Sequence, residues 1–379
     1  MKRKKKKQQQ RKKKKKAVMG ELRVLELYSG IGGMHYALQE SDIPSQVVAA
    51  IDINTTANLI YKHNFPDTPL WNKTIEGISL DDFNKLSFDM ILMSPPCQPF
   101  TRLSRLPRFI LLENVKGFET SSARERLVKT LTECGYEFQE IMVSPPSVGI
   151  PNSRLRYFLI AKISTGQLST QTSLKILDAF PHAAKSDSAE KPKVLSPTCQ
   201  CTSKPEEEMQ SGGVLYKLET RTESQRKIDQ NSDLSVREIQ DFLEPQTEVN
   251  MEHYLLPPKT LLRYGLLLDI VKPKCRRSVC FTKGYGRYVE GTGSVLQSSV
   301  ETEVESVFMG LDQCSEEEKL QRLSKLKLRY FTPREVANLM GFPQSFSFPE
   351  QISTIQRYRV LGNSLNVLVV SRLLQLLVS

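Results

Sequence analysis

An α/β fold built on a mostly parallel sheet is what this 379-residue sequence predicts, and three observations predict it. Short apolar runs of strand length occur at residues 23–28, 47–51, 88–93 and 109–115. The first is followed by a glycine-rich turn that opens a helical stretch, with an acid about 20 residues further on. The runs also end on polar groups, at the edge where open parallel sheets bind their ligands.

Taken in order, Arg23-Val24-Leu25-Glu26-Leu27-Tyr28 reads as the first strand. Ser29-Gly30-Ile31-Gly32-Gly33 is the turn leading into a helix over 34–40, and its three glycines allow close approach of backbone to a ligand. Val47-Val48-Ala49-Ala50-Ile51 is the second strand and ends at Asp52, where an acid meets ribose hydroxyls in dinucleotide-binding folds. The third glycine that packs a helix beside a pyrophosphate is missing, so a nucleoside ligand without phosphates fits better. S-adenosylmethionine is such a ligand. The run over 88–93 stops at Ser94-Pro95-Pro96-Cys97-Gln98. Consecutive prolines remove two backbone donors and fix the turn, which presents Cys97 at a strand's carboxyl end. Taken alone, such a thiol reads as packed, and Glu113 in the fourth run reads as a surface carboxylate. Together they can face one pocket. A methyl donor beside a thiol points to carbon methylation: thiolate addition at carbon 6 of cytosine makes carbon 5 nucleophilic, and a carboxylic acid at ring N3 assists that addition.

Five segments then resemble, in order, the motifs of the cytosine-5 methyltransferase family. They are Leu27-Tyr28-Ser29-Gly30-Ile31-Gly32-Gly33, Ser94-Pro95-Pro96-Cys97-Gln98-Pro99-Phe100, Glu113-Asn114-Val115, Asn152-Ser153-Arg154-Leu155-Arg156-Tyr157 and Leu361-Gly362-Asn363-Ser364-Leu365. Cys280-Phe281-Thr282 with Lys283-Gly284-Tyr285-Gly286 is similar to the subgroup that modifies cytosine 38 in the anticodon loop of aspartate tRNA. The resemblance implies an α/β, Rossmann-like S-adenosylmethionine-dependent methyltransferase domain with a smaller inserted target-recognition domain. It implies Cys97 as nucleophile, Glu113 as the acid at N3, and Arg156 on the base carbonyl with Arg154 beside it. It places Ile31, Gly32, Gly33, Asp52, Ile75, Glu76, Ser94, Asn363 and Ser364 around the cofactor. A DNA cytosine-5 methyltransferase is the alternative enzyme. An anticodon-loop cytosine is already unpaired, which lowers the cost of extruding it.

The catalytic segment departs from that pattern. Fifteen residues separate Cys97 from Glu113, whereas a parallel crossover with its helix needs at least about 10 to 12 and the rigid turn uses several. The connection spans without a helix, which predicts an uncovered sheet face and no closing loop over the base. Two readings follow: a skipped coding segment, or a protein that keeps binding and has lost catalysis.

Residues 2–16 hold twelve Lys and Arg and no acid, so the formal net charge of +11 becomes −1 beyond Lys16. The pI of 9.2 therefore describes the tract and says nothing of the site. The tract reads as a disordered polyanion tether or nuclear localisation signal, or else as an extension ahead of a start at Met19. Seven cysteines in a chain without an export signal indicate free thiols. No apolar run is read as membrane-spanning, cysteine and histidine spacing predicts no metal, and the expected location is cytoplasmic, with nuclear presence if the tract acts.

The predicted organisation is a polybasic tail over 1–19, a catalytic and cofactor-binding domain over 20–163, a largely disordered insertion over 164–252, a target-recognition region over 253–328, and a return to the catalytic domain over 329–379. The recognition region begins with an apolar helical stretch over 261–271. It interleaves cations with aromatics, which nominates Arg276, Lys283, Tyr285 and Arg287 as substrate contacts through phosphates and unpaired bases. Thr332-Pro333-Arg334-Glu335 is a helix start, with an N-cap threonine, proline at N1 and a carboxylate at N3.

Overall fold

The computed structural model describes residues 20–95, 106–163, 175–181, 221–245, 250–299 and 301–379. Seven strands form the main sheet: β1 Leu22–Leu27, β2 Ser45–Ile51, β3 Leu70–Trp71, β4 Met90–Met93, β5 Phe109–Val115, β6 Tyr136–Val143 and β7 Arg156–Ile163. Their order is β3-β2-β1-β4-β5-β7-β6. The first five are mutually parallel, and β7 runs antiparallel between β5 and β6.

The parallel strands are largely apolar because helices cover both faces. On one face, Leu22, Val24, Met90, Leu92 and Leu111 join a cluster with Met34 and Ala37 of the helix Gly33–Glu40, Ile60 of Thr55–Asn64, and Val370, Leu373 and Leu374 of the last helix, Val367–Val378. On the other, Leu25, Ile91, Met93, Ile110 and Leu112 share a cluster with Phe83 of Leu80–Leu86 and with Leu127 and Leu131 of Ser122–Glu133. The short β4–β5 connection had predicted an uncovered face. Ile91, Met93, Ile110 and Leu112 are nevertheless buried, in the same cluster as the helices before β4 and after β5.

A second sheet, β10-β9-β8, is formed by β8 Ile270–Val271, β9 Val295–Gln297 and β10 Leu328–Arg329. Its own core contains Leu261, Leu268, Val295, Phe308 and Leu323. The helix expected over 261–271 spans Pro258–Tyr264, followed by a 3-10 turn at Gly265–Leu267. β-branched Ile270 and Val271 then pair with Val295 and Leu296 instead of continuing the helix.

Residues 221–245 correct the expectation of disorder over 164–252. They carry the helix Arg221–Ser232, and Val236, Ile239 and Phe242 are buried. Lys227 pairs with Asp269 at 2.8 Å and Arg276 with Glu238 at 2.9 Å, so ion pairs tie this segment to the recognition region. Within the expected insertion, 164–174, 182–220 and 246–249 lie outside the described residues, as do the tail over 1–19 and Cys97.

The helix start at Thr332 forms as a full capping box with Glu335, and Pro333 occupies N1. Residues Thr354–Val378 reach the length and composition of a membrane span, contrary to the sequence reading. They form two helices, Thr354–Gly362 and Val367–Val378, and the second packs on the sheet through six buried Val and Leu residues.

Candidate active site

The first parallel strand delivers the chain into a turn that only certain backbones can make. Tyr28 has φ 55°, in the left-handed region, and Gly32 has φ 87°. A Cβ at Gly32 would lie 2.5 Å from the Phe65 ring. One at Gly33 would meet Leu365 at 3.1 Å and the Ser364 hydroxyl at 3.2 Å, so the turn closes directly against the carboxyl-terminal return.

Asp52, just past β2, fixes this turn. Its Oδ2 accepts from the Gly30 amide at 2.8 Å and its Oδ1 from the Asn54 amide at 2.7 Å. Ser94, just past β4, donates through Oγ to the Tyr28 carbonyl at 3.2 Å. Asn114 in β5 donates to the Pro95 carbonyl at 3.0 Å, holding the chain two residues before Cys97.

These groups surround a cavity of about 190 Å³. Of the residues expected at a cofactor, Ile31, Gly33, Asp52, Ser94, Asn363 and Ser364 line it, and so does Glu113. Gly32 instead supports the turn from behind. Ile75 and Glu76 sit on a 3-10 turn outside the lining, although Glu76, after burial, helps push the Tyr28 phenol up. The sequence reading did not nominate Tyr28, Ser29, Gly30, Met34, Asn54, Ala57, Val360 and Leu365 as wall residues. All but Ala57 lie within three positions of a residue it did name.

Glu113 is 9% exposed, with Arg156 Nε 3.3 Å from its Oε1. Burial raises its carboxyl above the usual range, while Arg156 and then Arg154 pull against that rise. The balance is an acid that keeps its proton to higher pH than an ordinary glutamate.

Arg154 does not join that pair as a second contact to substrate. It is 5% exposed, and its guanidinium donates to Phe281 O at 3.1 Å, Cys280 Sγ at 3.2 Å, Gly362 O at 2.9 Å and Ser364 O. Its planar fork suits this convergence of acceptors from separate chain segments. Arg154 is thus a positioning residue that binds the recognition region to the cavity wall.

Two proposed substrate contacts also change role. Tyr285 is 2% exposed, donates to Ser294 O at 2.7 Å, accepts from the Phe331 amide at 2.9 Å and packs on Phe281 and Tyr358. It is core, closed to a stacking base. Arg276 is occupied by Val236 O and Glu238. Lys283 and Arg287 are exposed, and Arg287 lies over the ring of Tyr288, itself 58% exposed. Tyr288, four residues into the same motif, is the accessible aromatic that the sequence reading passed over.

The fit to S-adenosylmethionine can be tested on the lining. The cavity holds two carboxylates, a glycine turn and several hydroxyls, and no Lys or Arg among its described wall residues. That composition suits a cationic sulfonium on a nucleoside and opposes a pyrophosphate, which recruits basic groups or a glycine-rich helix start. Among the described residues, no group of three His, Cys, Asp or Glu is placed to hold a metal ion.

Fold and cavity together define a cofactor-binding α/β enzyme whose catalytic edge carries a buried acid. The family model for C-5 cytosine-specific DNA methylase matches residues 22–105 and 102–379, and the chain belongs to that family. The human tRNA (cytosine(38)-C(5))-methyltransferase is 54% identical over 398 aligned positions, covering 95% of this chain and 100% of the human one. Among solved structures, a triple mutant of Spodoptera frugiperda DNMT2 is similar with TM-score 0.74 at 35% identity, covering 94% of this chain and 100% of that one. The S. pombe Dnmt2 methyltransferase follows with TM-score 0.70 at 34% identity, covering 94% and 98%. The human alignment has more positions than this chain has residues, so gaps open on this chain's side. The two pieces of the family match meet at 102–105, inside the short connection between β4 and β5.

Proposed function

We propose that this chain methylates carbon 5 of cytosine in tRNA, at cytosine 38 in the anticodon loop of aspartate tRNA, with S-adenosylmethionine as donor and Cys97 as nucleophile. The observation that carries this reading is buried Glu113 on the wall of a cavity with no basic side chain among its described wall residues, with Arg156 3.3 Å from its carboxylate behind that wall. Identity to tRNA methyltransferases over nearly the whole chain supports the choice of substrate.

Bound S-adenosylmethionine supplies an activated methyl group. Asp52 takes the ribose hydroxyls, the turn at Gly30–Gly33 brings backbone against the ligand, and Ser94 and Ser364 close its sides. Glu113, its carboxyl raised by burial, gives a hydrogen bond to cytosine N3 while the Cys97 thiolate adds at carbon 6. Arg156 reaches the base carbonyl from beside Glu113. Carbon 5, made nucleophilic by that addition, would gain the methyl group as S-adenosylhomocysteine leaves, and loss of its proton to solvent water would then expel the Cys97 thiolate and restore the aromatic ring. Lys283, Arg287 and Tyr288 present charge and an aromatic face to unpaired RNA.

A second reading is favoured by the fifteen residues between Cys97 and Glu113 and the two-piece family match: a chain that binds tRNA and cofactor without transfer. The test is methyl transfer from labelled S-adenosylmethionine to purified tRNA, beside Cys97→Ala, with duplex DNA as a second substrate. Label on tRNA that vanishes in the variant is the expected result. Label on DNA alone overturns the RNA reading, and a folded chain that binds tRNA without labelling it selects the second.

A further inference from the structure

The residue that opens the glycine turn carries a polar group that the chemistry above does not use. Ser29 is 5% exposed and lines the cofactor cavity, yet among the described residues its Oγ has no hydrogen-bond partner. Both of its backbone groups are committed: its amide donates to Ile51 O at 3.1 Å, and its carbonyl accepts from the Gly32 amide at 2.9 Å. The residue is thus pinned from both sides while its hydroxyl is free. A buried hydroxyl left unpaired is destabilising, and the space that this one borders is the cavity. The helix Gly33–Glu40 begins on the same wall. Its N-cap, Gly32, supplies no side-chain cap, and its first turn holds no acid. The amides of Gly33 and Met34, both wall residues, find no acceptor among the described residues.

We propose that Ser29 Oγ and the free amides of Gly33 and Met34 seat the carboxylate of the cofactor's amino-acid end, so that neutral donors and a helix N-terminus hold that charge in place of a basic side chain. The amino-acid end carries one ammonium and one carboxylate. The carboxylates of Asp52 and Glu113 suit the ammonium and the sulfonium, and no described wall residue is Lys or Arg. The ligand's carboxylate is left with hydroxyls and amides. Ser29 and the helix start bring a donor hydroxyl and unpaired amides to one wall, at the positive end of a helix dipole. A further hydroxyl faces the same place, because Ser364 Oγ lies 3.2 Å from where a Cβ of Gly33 would stand. Hydrogen bonds to an ionised acceptor are roughly twice as strong as neutral ones. The hydroxyl that destabilises the free chain therefore stabilises the complex.

The proposal rests on the cofactor reading given above. Its test is calorimetry on the full chain with two ligands: S-adenosylhomocysteine, and S-adenosyl-3-thiopropylamine, which keeps the ammonium and lacks the carboxylate. The wild type is expected to prefer the first. Ser29→Ala is expected to weaken S-adenosylhomocysteine about tenfold, the scale of one hydrogen bond to a charged group, and to leave the second ligand within about twofold. Ser29→Cys, with a weaker donor of similar size, should fall between. Because Ser29→Ala removes an unpaired buried hydroxyl, the ligand-free variant should melt no lower than the wild type. Loss of both ligands by the same factor overturns the proposal, since it marks a damaged wall. Unchanged S-adenosylhomocysteine affinity overturns it too, since it marks a hydroxyl that bonds only to water. A folded wild type that binds neither ligand removes the cofactor reading itself, a result distinct from the other two.

Discussion

At the residue scale, the acid at the catalytic edge is governed first by burial and only then by its cation. Removing the cation should expose that order. In Arg156→Met the Glu113 carboxyl is expected to rise further, because the group that lowers it is gone while burial stays. For an acid raised on folding, stability falls as pH climbs from its unfolded value through its folded one. The variant should therefore lose more stability than the wild type as pH rises above the ordinary glutamate range, measured as urea midpoints. Equal slopes would show that Arg156 does not act on Glu113. Arg154 makes a contrasting case. Arg154→Met strips donors from three backbone carbonyls, each worth about 1–3 kcal/mol when left buried and unpaired, and should lower the urea midpoint sharply. A purely catalytic arginine would leave it in place.

At the element scale, the recognition segment and the last turn of Thr354–Gly362 touch backbone to backbone. A Cβ at Gly362 would lie 2.2 Å from the Lys283 amide nitrogen and from the Thr282 carbonyl carbon. Backbone cannot swing away as a side-chain tip can. Gly362→Ala is therefore expected to separate the segments, costing more than about 3 kcal/mol and weakening S-adenosylhomocysteine binding through Ser364, since overpacking alone costs about 1–3 kcal/mol. Thermal denaturation with and without ligand checks this, and a ligand-induced shift equal to that of the wild type would refute it. The same elements show what the sequence disclosed. The turn at Ser29–Gly33, Asp52, Ser94 and Glu113 were legible because strand ends and glycine spacing are local signals. The role of Arg154 was not, because its backbone acceptors lie 127 to 210 residues away. Nor could the Gly-Tyr-Gly-Arg-Tyr motif say which tyrosine is buried. That depends on Ser294 and Phe331, to which Tyr285 bonds. The polar composition of 164–252 masked Val236, Ile239 and Phe242, whose burial depends on distant partners.

At the scale of the whole molecule, the sheet tolerates a short connection between β4 and β5 without uncovering its apolar face. Folding and catalysis can then part company. Inserting a helical crossover between Thr101 and Leu106 is expected to raise methyl transfer to tRNA and to leave S-adenosylhomocysteine affinity in place, because the cavity wall is built from other segments. A matched comparison of turnover and ligand binding decides it. A rise in affinity with no rise in turnover would place the deficit in the cavity rather than over the base.

The contact of Gly33 with Ser364 and Leu365 also sets the order in which this molecule can come into being. A ribosome makes the glycine turn long before it reaches the residues that wall it in. Throughout synthesis the turn waits without its lid, and more than three hundred intervening residues must be threaded before the pocket exists. Contacts so distant in sequence slow folding. They also mean that capture of the cofactor reports synthesis through Leu365: a product that stops short of Ser364 presents the first strand, the turn and the acid, yet lacks the residues that wall in the turn.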